Sequence, residues 1–252
     1  MNANKLFSLI LTKETIKLSS KPERGLDNKE VTYTNKHWKL FWQLRQRARK
    51  IIKLLELRQI HAIVHGSIAR GDINKNSDID IFIPNPPSSF LIETTLEQAK
   101  VRNSARIIIQ ATPVYAMKAY IEIDMATSLS FPLMSLRRVE REFYRFSGEV
   151  NLAQLEANAR VAGVDKRLML IEPTRAGHVE SGIMGREDEI SKSLGITIET
   201  MMDRVHALTK RDAVGRTGVF VKKELKRDET FELALKHLAD ENPAVRRRLK
   251  TK

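Results

Sequence analysis

The sequence predicts an α/β fold of the α+β type, in which a mixed sheet is flanked by helices. Four short apolar or β-branched runs, at residues 60–65, 79–83, 105–111 and 119–126, have the length and composition of strands. A long stretch before them, residues 36–59, repeats apolar side chains at helical spacing. With 252 residues, the chain is long enough for one large domain or two modest ones, each with its own core.

The predicted helix over residues 36–59 is strongly basic. Its apolar positions include Trp38, Phe41 and Trp42, which we interpret as core anchors. Arginines and lysines occupy much of the remainder, and residues 1–60 carry fourteen Lys and Arg against five Asp and Glu. The basic side of this helix either borders a nucleic-acid or nucleotide path or is simply a solvated face.

The first two predicted strands carry a Gly-Ser pair and an Asp-x-Asp pair. Gly66 and Ser67 follow the run that ends at His65, and glycine lets the backbone approach a ligand closely. In a strand over residues 79–83, side-chain alternation places Asp78 and Asp80 on one face. Two adjacent carboxylates repel each other unless a cation lies between them, and their hard oxygens suit Mg²⁺. The segment therefore predicts a phosphate cradle beside a metal site.

A third acid is expected on the strand over residues 119–126. Glu122 and Asp124 alternate there as Asp78 and Asp80 do. Either carboxylate alone is also compatible with a solvent-facing position at a sheet edge. Together with the Asp pair, a third acid would allow two metal ions about 3.5–4 Å apart to activate a hydroxyl and neutralise a leaving pyrophosphate.

These residues resemble the DNA polymerase β-like nucleotidyltransferase superfamily. The resemblance rests on Val64-His65-Gly66-Ser67, on Ala69-Arg70-Gly71 and on Ser77-Asp78-Ile79-Asp80-Ile81, and it covers roughly residues 60 to 130. The segment Glu-Ile-Asp-Met-Ala at residues 122–126 is similar to one in archaeal CCA-adding enzymes.

The resemblance implies a role for each of these residues. Gly66 and Ser67 would contact the triphosphate of an NTP, and Arg70 would lie near the phosphates. Catalytic metal ions, Mg²⁺ or Mn²⁺, would be held by Asp78, Asp80 and Asp124, with Asp124 preferred over Glu122 as the third ligand.

A second unit is predicted over residues 183–252, after a nucleotidyltransferase domain over residues 1–182. Residues 186–194 and 198–208 read as two helices joined by a glycine turn, and residues 212–221 as a hairpin, so the unit resembles a winged helix. The sequence ends in a basic tail over residues 246–252. The predicted phosphate contacts of this unit are Lys222, Lys223, Lys226 and Arg227.

Composition narrows the class of protein. The net charge of +13 favours a polyanionic partner such as RNA or DNA, although a solvated basic surface is the simpler alternative. The absence of cysteine excludes disulfides, thiol catalysis and Cys-ligated zinc. No apolar run reaches eighteen residues, and the one at residues 6–11 is too short for a signal core, so we expect a cytoplasmic protein without a membrane partner.

The predicted reaction is transfer of a nucleoside monophosphate from an NTP to an acceptor hydroxyl, with nucleic acid, and RNA in particular, as the leading acceptor. The alternatives are modification of a protein or small molecule by the same chemistry, and a nucleic-acid-binding regulator whose first domain senses nucleotide. The acceptor, the choice of NTP and the oligomeric state are left open by the sequence.

Overall fold

The computed structural model describes residues 28–215 and 218–250; the apolar run at residues 6–11 lies outside these ranges. The helices are α1 Asn35–Glu56, α2 Ser67–Arg70, α3 Ser89–Gln98, α4 Arg138–Phe146, α5 Leu152–Glu156, α6 Glu187–Ser193, α7 Ile198–Val214, α8 Phe231–Glu241 and α9 Pro243–Lys250. The strands are β1 Lys29–Thr32, β2 Ile63–His65, β3 Ile79–Phe82, β4 Ala105–Gln110, β5 Lys118–Asp124, β6 Thr127–Pro132, β7 Glu149–Asn151, β8 Gly163–Val164, β9 Met169–Pro173, β10 Gly177–Gly182 and β11 Val221–Glu224.

Seven strands form the larger sheet, in the order β11-β4-β5-β6-β3-β2-β7. Strands β3 and β6 run parallel, and every other neighbouring pair is antiparallel. The predicted mixed sheet is therefore confirmed, and the four predicted strands are its members β2, β3, β4 and β5.

Helices cover both faces of this sheet. On one face, the main core joins Phe41, Ile52 and Leu55 of α1 to Ile79 and Ile81 of β3, all fully buried. The helix begins where the Thr34 hydroxyl accepts a hydrogen bond from the His37 backbone N–H at 3.3 Å. On the other face, the ring of Tyr144 in α4 stacks on Phe82 of β3, with centroids 3.8 Å apart.

A smaller antiparallel sheet, in the order β1-β10-β9-β8, accompanies the larger one. The sequence analysis did not predict it. A second core of buried residues brings together the end of α4, strands β8 and β9, and helices α6 and α7; it includes Phe146, Leu168, Ile183, Ile190, Met201 and Val205. This sheet forms a second wall above the larger sheet.

The helix-turn-helix of the predicted second unit is present as α6 and α7, and the Thr197 hydroxyl caps the second helix. The predicted hairpin is wrong. Residues 212–214 are the last turn of α7, and β11 pairs with β4 at the edge of the larger sheet, in the register Val221 with Gln110. Strand β11 therefore extends the first sheet, and the winged-helix interpretation does not hold.

The predicted boundary at residue 182 also fails to separate two cores. Phe231, Ala234 and Val245, from α8 and α9, are fully buried in the same core as α1 and β3. The predicted basic tail is helical as far as Lys250. Within it, Arg248 is 6% exposed and its Nη2 donates to Glu140 Oε2 at 3.0 Å. None of the described helices combines the length and the apolar character needed to cross a bilayer.

Candidate active site

Strand β3 presents the predicted acidic pair to the face opposite α1. Ile79 and Ile81 are fully buried in the main core, whereas Asp80 between them is exposed. Asp78 directly precedes the strand, so alternation places it on the same side as Asp80. Both side chains line one open cleft of about 980 Å³.

The Gly-Ser pair lies at the same end of the sheet because β2 and β3 are antiparallel. Gly66 has φ +76° and ψ −144°, a conformation that essentially only glycine adopts. A Cβ atom placed on Gly66 would have no protein atom within 4 Å, so this stretch of backbone faces open space. Ser67 begins α2, and its hydroxyl donates to the Ser77 hydroxyl at 3.3 Å, next to Asp78. The structure thus brings both predicted motifs into the same cleft.

The structure separates Asp124 from the Asp pair. A β-bulge between Glu122 and Asp124 places Asp124 opposite Thr127 of β6. On its other side, Thr127 pairs with Ile79 of β3, whose side chain lies in the main core. Asp124 therefore lies on the α1 side of the sheet, where Arg47 of α1 forms an ion pair with it. The sequence-based assignment of Asp124 as the third metal ligand does not agree with this geometry.

Glu122 lies on the same face as Asp80. It is opposite Ser128 of β6, and Ser128 is in turn opposite Asp80. The Ser128 hydroxyl donates to Asp80 Oδ1 at 3.0 Å. Two strand spacings, about 10 Å, separate the backbones of Glu122 and Asp80.

The carboxylates in the cleft have the chemistry of a magnesium site that is completed by substrate. Asp80 forms no ion pair with any described residue, and its hard oxygens face the cleft. Within residues 28–215 and 218–250, no group of three or more His, Cys, Asp or Glu side chains is close enough to hold a metal ion by itself. Mg²⁺ commonly uses one or two carboxylates together with substrate phosphates, so a two-carboxylate site suits it when NTP is bound.

Arg70 is engaged in a structural contact. Its side chain is buried, and Nε and Nη2 donate to Asp72 at 3.0 and 2.7 Å while Nη1 donates to the Ser147 carbonyl at 2.5 Å. The predicted approach of Arg70 to phosphates would require this contact to break. Arg70 therefore holds the loop after α2 against the turn between α4 and β7.

The predicted nucleic-acid contacts lie far from the cleft. Lys222, Lys226 and Arg227 are exposed, and Lys223 forms an ion pair with Glu229. All four are in β11 or directly after it, and β11 is four strand positions away from β3, a distance of about 19 Å. They do not line the cleft.

The opposite wall of the cleft carries four cationic residues. They are Lys166 and Arg167 from the turn before β9, and Arg204 and Arg211 from α7. Arg167 bridges Asp165 and Glu180 at 2.7 and 2.5 Å. Arg204 packs over the ring of Phe143 at 4.8 Å. No sequence pattern identified Lys166 and Arg167, because their position depends on the small sheet, which was not predicted.

A partly buried histidine, His65, lies beside Asp80 in the cleft. Its ring contacts Tyr144 edge-on at 4.9 Å, and Nδ1 is 3.3 Å from the Ser147 hydroxyl. Burial lowers the pKa of His65 to about 4, against the opposing influence of Asp80. His65 is therefore neutral at pH 7 and does not neutralise the charge of Asp80.

The lowered pKa of His65 predicts a loss of stability in mild acid. Between pH 6.5 and 4 the unfolded chain binds a proton at this position that the folded chain does not, so the free energy of unfolding falls as the pH falls through this window. We expect His65 to contribute about 1–3 kcal/mol to the loss. Urea denaturation of the parent and of His65→Gln at pH 7 and pH 5 measures it. Equal losses for both proteins would contradict the assignment.

Residues 45–127 match the family model of the nucleotidyltransferase domain. The matched range contains Gly66, Ser67, Asp78 and Asp80, the residues that meet in the cleft. The search of curated proteins finds no match to this chain. The family match supports a nucleotidyltransferase domain, and therefore a transferase, in this part of the chain. The closer similarity to archaeal CCA-adding enzymes stays a prediction.

Proposed function

We propose that this protein transfers a nucleoside monophosphate from an NTP to a hydroxyl group of a nucleic acid, RNA in particular, and releases pyrophosphate. One observation carries the proposal: Gly66 and Ser67 lie beside Asp78 and Asp80 in one cleft of about 980 Å³. A cleft of this size is at the upper end for small-molecule sites, which leaves room for an NTP and the end of an acceptor.

Each residue of the cleft has a proposed role. The open backbone at Gly66 and the hydroxyl of Ser67 bind the triphosphate. Asp78 and Asp80 bind Mg²⁺ or Mn²⁺, and Glu122, on the same face, is the third acid in place of Asp124. When bound, the cation stabilises negative charge on the phosphates as pyrophosphate leaves.

Charge supports a nucleic-acid acceptor. The chain carries a surplus of thirteen positive charges, and a basic surface binds polyanions mainly through their phosphates. We retain Lys222, Lys223, Lys226 and Arg227 as a proposed nucleic-acid contact on or directly after the edge strand β11, about 19 Å across the sheet from β3.

The test is a transfer assay. The protein is incubated with Mg²⁺ and each α-³²P-labelled NTP in turn, with total cellular RNA or total cellular protein as acceptor, and the products are separated on denaturing gels. We expect label in RNA, and none with the double variant Asp78→Asn, Asp80→Asn. Label in protein alone would support the alternative acceptor, and binding of NTP without any transfer would support a nucleotide-sensing regulator.

A further inference from the structure

A second cavity, of about 430 Å³, lies between α1 and the end of α5. We call it the α1 groove. It shares no lining residue with the active-site cleft. Three of its side chains are cationic, Lys39, Arg45 and Arg49, and none is acidic. A cavity with this lining attracts an anion.

Arg45, at the base of the groove, has no counter-ion among residues 28–215 and 218–250. It is 3% exposed, and Nη2 donates to the Ala159 carbonyl at 2.6 Å. Its Nε and Nη1 have no hydrogen-bond partner among the described residues. A buried guanidinium without a negative partner is unfavourable, so an anion in the groove would supply charge that the protein lacks there.

The exposed side of α1 favours a polymeric anion over a small one. Between Asn35 and Leu55 the helix contains no acidic residue. Its exposed cations extend along a helix about 33 Å long, which is longer than any small anion. Among these cations, Arg47 is the one with an ion pair to a described residue, Asp124. The exposed cations are Lys36, Lys39, Arg47, Arg49, Lys50 and Lys53.

An exposed tryptophan lines the same groove. Trp42 is 40% exposed, so its interpretation from the sequence as a core anchor is wrong. Its ring stacks on Trp38 with centroids 6.0 Å apart, and Trp38 contacts Tyr33 and His37 at 5.1 and 6.2 Å. Tyr33 and His37 line the active-site cleft. A continuous series of aromatic contacts therefore links the groove to the cleft within two turns of α1.

We propose that the α1 groove binds the phosphodiester backbone of a single-stranded RNA, with Lys39 and Arg49 on its phosphates and Trp42 stacked on an unpaired base. Base stacking on an exposed aromatic ring beside a row of cations is how proteins hold single strands without reading their sequence. That this RNA is the acceptor of the transfer reaction rests on the proposed function, whereas the binding of RNA to the groove does not.

The test compares two double variants, each of which removes two positive charges from a different surface. Binding of a fluorescein-labelled single-stranded RNA of about 20 nucleotides is measured by fluorescence polarisation for the parent, for Lys39→Gln with Arg49→Gln, and for Lys236→Gln with Lys250→Gln, two positions on α8 and α9 that line neither cavity. All four side chains are exposed, so the variants fold. We expect the groove variant to bind about tenfold more weakly, and the other variant less than threefold. The slope of the logarithm of the RNA-binding constant against the logarithm of the salt concentration should fall in magnitude by roughly 1.4 for the groove variant, since two phosphate contacts are lost.

A second pair of variants tests stacking. Trp42→Ala should weaken RNA binding, whereas Trp42→Phe should retain most of it because the aromatic face remains. A larger loss for the Lys236 and Lys250 variant, equal losses for both surfaces, or no binding of RNA by the parent at low salt would overturn the groove proposal.

The outcomes separate this proposal from the proposed function. If the parent labels RNA in the transfer assay and the groove variants bind RNA as the parent does, the groove proposal fails and the function stands. If the groove variants lose RNA binding but the parent transfers no nucleotide to any acceptor, the groove proposal stands and the function fails.

Discussion

Replacing Asp80 with asparagine is expected to lower nucleotide transfer by about a thousandfold or more, and Asp78→Asn should have a similar effect, because a neutral amide is a poor ligand for Mg²⁺. Folding should be nearly unchanged. Asparagine retains an oxygen that accepts the Ser128 hydrogen bond, and removing one of two neighbouring carboxylates relieves their repulsion. Transfer rates with labelled NTP and urea denaturation measure the two effects. Parent-level activity in the double variant would refute the catalytic assignment.

Asp124→Asn is the matched control for this prediction. It makes the same chemical change on the other face of the sheet, where it removes a partly exposed ion pair with Arg47. We expect less than a tenfold loss of transfer and at most about 1 kcal/mol of stability. Glu122→Gln should reduce transfer more than Asp124→Asn does. The opposite order would restore Asp124 as the third acid and require the bulge to rearrange when substrate binds.

Gly66→Val is expected to weaken NTP binding by at least tenfold, roughly 1.4 kcal/mol or more. The new side chain would project into the open space where we place the phosphates, and φ +76° would be strained for valine by about 1–3 kcal/mol. Calorimetric titration with a non-hydrolysable NTP measures the affinity. Ser67→Ala should cost less, about 0.5–1.5 kcal/mol, because it removes one hydroxyl.

Gly185→Val is the control that distinguishes backbone strain from the loss of phosphate binding. Gly185 has φ +83° and equally open surroundings, but it does not line the cleft. We therefore expect Gly185→Val to be destabilised like Gly66→Val and to bind NTP as the parent does. Equal loss of NTP affinity in both variants would show that global destabilisation, and not the cradle, explains the result.

The sequence predicted the elements whose patterns are local. Helix α1, strand β3 and the pair of helices α6 and α7 follow from the spacing of their apolar residues. The sequence also predicted that the Gly-Ser pair and the Asp pair form one site. Pairing of β2 with its neighbour β3 is enough to bring the two motifs together.

The features that the sequence did not reveal depend on how elements pair. The bulge that turns Asp124 toward Arg47 depends on pairing with β6, which was not predicted. Residues 212–221 were predicted as a hairpin, yet Val221 pairs with Gln110. Arg70 matches a motif, but its burial beside Asp72 depends on the contact with Ser147. Gln110 and Ser147 are far in sequence from their partners, and apolar periodicity cannot reveal a bulge even though Thr127 is close to Asp124.

The pairing of β11 with β4 constrains how the chain folds during synthesis. The two strands are more than a hundred positions apart, and β1 and β10 in the other sheet are farther apart still. Neither sheet can be completed until most of the protein has left the ribosome. Until then, the β-branched edge at Ile107, Ile108 and Ile109 stays open to pairing with other nascent chains. Translation that stops before residue 221 should therefore produce aggregation-prone fragments, while the full-length chain unfolds as one cooperative unit.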